Sequence, residues 1–216
     1  MLFPFFTIFL IFVVWLTIRY RSNNQKNQQL QDDFWENEAK ANSAPAADLD
    51  SIQYINIPLE KFPLGLYSQD EILQIEFQLK ELSQKRILNL TGKTNTELKA
   101  TYGVSNLPAI MEIGENFDQL TVLLKDYASA LIQHKSFQEA IAVLEFGVGI
   151  GTDISQHYIM LGQCYQRLGK FDKIDYLIEQ VKSRDLLLGP SILRQLESMK
   201  TASQPVESSA EEDFTL

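Results

Sequence analysis

The second half of the chain repeats itself at a fixed offset of 34 residues. The segment YASALIQHKSFQEAI, residues 127–141, aligns with LGQCYQRLGKFDKID, residues 161–175. Small, aromatic and aliphatic residues recur at matched places, the pairs being Ala128 with Gly162, Leu131 with Tyr165, Phe137 with Phe171 and Ala140 with Ile174. A period of this length is typical of stacked helical hairpins, in which each unit buries its apolar face against a neighbour. The repeat therefore predicts an all-α stack.

The second copy is the more regular one. Its characteristic residues are Tyr158, Leu161, Gly162, Tyr165, Leu168, Gly169 and Phe171. With these residues the segment resembles the tetratricopeptide repeat, in which a glycine lets a second helix approach and aromatic side chains fill the gap between paired helices. The first copy has Tyr127-Ala128 in place of the Leu-Gly pair and His134-Lys135 at the turn. The resemblance implies two repeats, at 121–154 and 155–188.

Two such repeats rarely bury enough surface alone, so further elements are expected around them. An amphipathic helix over Gln69–Ser83, started by a capping box of Ser68 and Glu71, is predicted on one side. A capping helix over Ser191–Met199 completes the domain at 121–200. Residues 52–67, here called the strap, carry two prolines and are predicted to be extended across the helices. We place the strap and the N-terminal helices at 51–120, and a disordered acidic tail at 201–216.

The first residues are strongly apolar. The run from Leu2 to Ile18 has seventeen positions without a charge, about 25 Å as a helix. This predicts a transmembrane anchor at 1–20; a cleaved signal peptide is the alternative, although it would carry positive charge before the run. The positive charges follow the run, which indicates an external N-terminus and a cytoplasmic domain at the cell membrane. The predicted interface residues are Trp15, Arg19, Tyr20 and Arg21.

A polar linker, residues 21–50, follows the anchor. We predict that it is helical to about Asn42, because no proline or glycine interrupts it before Pro45. The pair Phe34-Trp35 is unusual in so polar a segment. It is predicted either to pack on the folded domain or to contact a partner or lipid.

Gly92-Lys93-Thr94 superficially resembles a phosphate-binding loop. That motif requires a glycine five positions earlier, where this chain has Ile87. A second capping box, Thr94 with Glu97, followed by Gly103 as the end of a short helix, explains the same residues. The segment is therefore predicted to start a helix and not to bind a nucleotide.

The composition argues against several kinds of chemistry. A net charge of -9 argues against a nucleic-acid partner, because such a partner needs a concentrated basic face. One cysteine and two widely separated histidines form no metal-ligand pattern, so no metal or cofactor is predicted. Cys164 is predicted to be a buried, inert thiol, and no catalytic residue is predicted.

The function favoured by the sequence is that of a membrane-anchored adaptor or scaffold for an unknown protein or peptide. The resemblance to tetratricopeptide repeats implies a groove lined by the first helix of each repeat. Its predicted residues are Lys125, Ser129, Gln133, Gln156, Gln163, Gln166 and Arg167, with Val122, Ile132 and Ile159 beside them. Lys125 and Arg167 suggest a carboxylate ligand, although the asparagines used for that purpose in the family are Ser129 and Gln163 here.

Two other functions are less favoured. One is a structural subunit of a membrane complex, recruited through the transmembrane helix; the other is an enzyme or nucleotide-binding protein. The chain as a whole also resembles uncharacterised single-pass membrane proteins of Gram-positive anaerobic bacteria, through segments such as DFWENEAKAN and YINIPLEKFP. That resemblance implies an architecture and no activity.

Overall fold

The computed structural model describes residues 4–201, with side-chain surroundings for all of these except 4, 5, 7 and 21–25. Within this range the chain is helical and has no β-strand, which confirms the all-α prediction. The helices are α1 (Pro4–Asn42), α2 (Asp70–Leu82), α3 (Asn95–Tyr102), α4 (Leu107–Gln133), α5 (Phe137–Gly149), α6 (Ser155–Arg167), α7 (Phe171–Lys182) and α8 (Gly189–Thr201). The predicted acidic tail starts at residue 201, and its residues after Thr201 lie outside the described range.

The chain divides into two compact units. The smaller unit comprises Met1–Ile52 and Gly92–Ile110, and the larger one comprises Gln53–Thr91 and Met111–Leu216. Residues 51–120 are therefore shared between the two units.

Helix α1 is continuous from the apolar run into the polar linker, and it ends at Asn42 as predicted. The helix loses its apolar character at Arg19, after a run that is short for a bilayer core of about 30 Å. Among residues 4–201, no helix has both the length and the mean hydropathy of a membrane span. The transmembrane anchor predicted at 1–20 is therefore not supported.

The smaller unit joins the end of α1 to α3. The predicted capping box is present: Thr94 N–H donates to Glu97 Oε2 at 2.7 Å, and Thr94 Oγ1 accepts from Glu97 N–H at 3.3 Å. Glu38 of α1 accepts a hydrogen bond from Thr96 at 2.7 Å and pairs with Lys99. Gly103 ends α3 with φ 83°, and a Cβ there would lie 2.8 Å from the Pro45 carbonyl oxygen. A close backbone approach thus requires glycine at this turn.

The strap packs into the larger unit, as predicted, but it is not extended throughout, because Leu59–Lys61 forms a 3-10 helix. Ile57 and Phe62 are buried in its core, and Ile55 and Leu59 pack against that core. Glu76 of α2 is also buried, and both of its carboxylate oxygens accept the Gly65 N–H, at 2.9 and 3.0 Å. The buried carboxylate therefore has hydrogen-bond partners and holds the strap against α2.

The capping box predicted at Ser68 is wrong. Helix α2 begins at Asp70, one residue after the predicted start, and its N-cap is Gln69, which makes no side-chain capping bond. Gln69 has extended backbone angles, φ -69° and ψ 134°, so it lies outside the helix. Asp70 and Glu71 in the first turn instead provide negative charge next to the helix dipole.

The 34-residue period recurs in the helices themselves. Helix α4 ends at Gln133 and α6 at Arg167, and α5 begins at Phe137 and α7 at Phe171. Both turns have a left-handed residue at the same repeat position, Lys135 with φ 62° and Gly169 with φ 67°. These matching turns support the predicted pair of hairpins.

The turns also share their hydrogen bonds. Ser136 N–H donates to the Leu131 carbonyl at 2.9 Å, and Lys170 N–H donates to the Tyr165 carbonyl at 2.8 Å. Each bond links a residue to the fifth one before it, the pattern of a Schellman helix end. Beyond the turns, α6 packs on α5, α7 and α8.

Candidate partner-binding surface

The predicted groove residues of α4 lie beside a cavity. Ser129 and Gln133 line a cavity of about 310 Å³ between α2 and α4. Its other lining residues are Glu71, Gln74, Ile75, Gln78, Leu123, Asp126 and Ala130. Lys125 stands next to it, with Nζ 2.9 Å from Asp126 Oδ1. Sequence analysis missed the α2 wall, because α2 precedes the repeats and shares no offset with them.

The predicted groove residues of α6 differ in their accessibility. Gln156, Gln163 and Arg167 are exposed. Gln166 instead donates a hydrogen bond to the Met199 carbonyl at 2.8 Å, so α8 occupies this part of the helix. Ile159 is only 7 % exposed.

Gly162 explains why α8 can pack closely on α6. A Cβ at this position would overlap Leu196 Cδ2 and lie 3.1 Å from Met199 Sδ. The close approach expected of this glycine is therefore present, and the element that approaches is the capping helix. Leu196 itself is fully buried.

His157 of α6 is fully buried. Its Nδ1 lies 2.9 Å from Thr152 Oγ1, and Nε2 has no hydrogen-bond partner among the described residues. Burial, together with the nearby charge of Lys125, lowers the pKa of His157 to about 4. The imidazole is therefore neutral at pH 7.

Cys164 is fully buried, as predicted. Burial raises the pKa of its thiol to about 11, since the thiolate would lose its hydration in the core. The thiol at this position has neither the exposure nor the acidity of a reactive nucleophile.

The residues around Gly92 have structural partners. Thr94 caps α3, and Asn89 Nδ2 donates to the carbonyls of Ile150 and Gly151 at 3.1 and 3.0 Å. These two hydrogen bonds join Asn89 to the turn after α5 within the larger unit. The prediction that Thr94 starts a helix is confirmed.

A second cavity, of about 640 Å³, lies in the smaller unit between α1 and α3. Phe34, Ala41, Ala100, Thr94 and Thr96 are among its lining residues. Phe34 and Trp35 form an edge-to-face pair with centroids 5.3 Å apart, and they are 53 % and 66 % exposed. Both predicted roles of this pair stay predictions.

The N-terminal half of α1 exposes apolar side chains on every side. All described side chains between Phe6 and Tyr20 are exposed. The predicted interface residues Trp15 and Arg19 contact each other, with the guanidinium carbon 5.7 Å from the indole centroid, and Tyr20 is exposed beside them. The side chain of Arg21 lies outside the described residues.

Comparisons with known protein families, with curated proteins and with solved structures gave no match.

Proposed function

We propose that the chain is an adaptor that holds a protein or peptide partner on its helical-repeat domain while its N-terminal helix attaches it to a membrane. The main support for partner binding is the cavity between α2 and α4, which contains Ser129 and Gln133. Both were expected to contact a partner from their repeat positions. The matching hairpin turns support the tetratricopeptide-like architecture.

The support for membrane attachment is the exposed apolar half of α1. A helix that is apolar all round is stable only when it is buried in protein or lipid. Within the described residues, the side chains from Phe6 to Tyr20 have no such cover. We therefore retain a cell-membrane location with a cytoplasmic domain as a proposal, and a structural subunit recruited through α1 is its alternative.

A blocked cavity tests the adaptor function. Full-length protein carrying Ser129→Trp, and a control carrying Gln119→Trp on the exposed side of the same helix, would be captured from native membranes in mild detergent. We expect quantitative mass spectrometry to identify proteins that are retained by the control and lost with the cavity variant. Equal recovery of every co-purifying protein in the two variants would contradict binding at this surface.

A further inference from the structure

The chemistry of the cavity between α2 and α4 restricts the partner that can occupy it. Two carboxylates line the cavity, Glu71 from α2 and Asp126 from α4, and no lysine or arginine is among the lining residues. Lys125 approaches from beside the cavity and pairs with one oxygen of Asp126. The cavity therefore has an excess of negative charge, on a chain whose net charge is -9.

The rest of the lining is apolar. Ile75, Leu123 and Ala130 contribute aliphatic surface, and Leu123 is nearly fully buried. Lysine and arginine combine an apolar stem with a charged head, and they pack the stem on apolar surface while the head stays hydrated or paired. A lining that combines aliphatic surface with carboxylates suits such a side chain better than it suits an acidic or a purely apolar one.

Three glutamine amides complete the cavity. Gln74 and Gln78 come from α2 and Gln133 from α4. Within residues 4–201 their side chains make no hydrogen bond to the protein. Each amide offers two donors and an acceptor, which matches the alternating donors and acceptors of an extended peptide backbone.

We infer that this cavity binds an extended segment of a partner protein that presents a lysine or arginine side chain between Glu71 and Asp126. This inference rests on the proposed adaptor function and assigns the chemistry of its ligand. It replaces the carboxylate ligand suggested by Lys125 and Arg167, since the carboxylates line the cavity and Lys125 is already paired. Electrostatic complementarity of this kind selects among partners and disfavours those of like charge.

Three peptides test the inference. They are fluorescein-labelled and amidated heptapeptides of sequence AASXSAA, with arginine, glutamine or glutamate at X, titrated with full-length protein in neutral detergent. Fluorescence anisotropy gives each dissociation constant. We expect the arginine peptide to bind about tenfold more tightly than the glutamine peptide and the glutamate peptide to bind least.

Charge-neutralising variants then locate the binding. Glu71→Gln with Asp126→Asn should remove the preference for arginine over glutamine. The matched control, Glu81→Gln with Asp118→Asn, neutralises one carboxylate on each of the same two helices outside the cavity lining, and should keep the preference. Lys125→Gln should tighten binding of the arginine peptide a few-fold, because it frees Asp126 from its ion pair.

The outcomes separate the inference from the proposed function. Equal affinity for the three peptides, lost on Ser129→Trp, would overturn the basic ligand and leave the adaptor function standing. If the two double variants lost the preference for arginine over glutamine equally, the attraction would be non-specific, and the inference would also be overturned. Absence of binding by all three peptides overturns it too, and partner capture with Ser129→Trp then decides the adaptor function separately.

Discussion

At the scale of single residues, the two repeat turns differ in one informative way. Both require a left-handed backbone, and the second supplies glycine at Gly169 whereas the first has Lys135. A side chain in this conformation costs about 1–2 kcal/mol, because its Cβ approaches the neighbouring carbonyl oxygen. The degenerate turn noted in the sequence thus corresponds to local strain in the fold.

Exchanging the residues at these turns should change stability in opposite directions. Lys135→Gly should raise the free energy of unfolding by about 0.5–1 kcal/mol. This gain is smaller than the strain that is relieved, because glycine also increases the entropy of the unfolded chain. Gly169→Ala should lower it by about 1 kcal/mol, since space is open around Gly169 and only the backbone angle is affected. Urea unfolding measures both; destabilisation by Lys135→Gly would argue against strain at this turn.

His157 should make stability depend on pH. Its pKa is about 4 in the folded protein and 6.5 when unperturbed, so the unfolded chain binds more protons between these values. The stability contributed by the neutral imidazole is complete above pH 6.5 and is lost as pH falls toward 4. The loss attributable to this residue is about 3 kcal/mol.

Unfolding measured from pH 7 to pH 4 checks this dependence. His157→Gln should be less stable at pH 7, because Thr152 loses its ring partner, but should lose less stability on acidification. The positive charge of Lys125 is one cause of the lowered pKa of His157. Lys125→Gln should therefore raise this pKa in the folded protein and reduce the stability lost on acidification. An unchanged pH profile in His157→Gln would exclude this residue as its source.

At the scale of elements, the contact of α6 with α8 depends on the absence of a side chain at Gly162. We expect Gly162→Ala to destabilise the protein by about 1–3 kcal/mol through overpacking against Leu196, although alanine favours the helix intrinsically. Combining it with Leu196→Ala should cost less than the sum of the two changes, since each relieves the other. Gly149→Ala, at the end of α5 with open space around it, is the control and should be neutral or stabilising.

At the scale of the whole molecule, local features could be predicted and long-range packing could not. The capping box at Thr94, the hairpin turns and the buried strap follow from short patterns. Two features instead depend on segments far apart in sequence. They are the hydrogen bond from Gln166 to α8 and the contribution of α2 to the cavity lining. The early start of α4 was also missed, although Ile110, Ile113, Phe117 and Leu120 are buried at helical spacing before the first repeat.

The proposed membrane attachment concerns the whole chain, and charge placed on α1 tests it. Ile11 and Leu30 are both exposed on α1, at 70 % and 67 %, the first in the apolar half and the second in the polar half. Ile11→Lys should shift the protein from the membrane fraction toward the soluble fraction, because a lysine inserted in lipid costs about 2–3 kcal/mol. Leu30→Lys adds the same charge to the same helix and should leave the distribution unchanged. Fractionation with alkaline washing measures both variants, and equal behaviour of the two would show that the apolar half of α1 is not the attachment site.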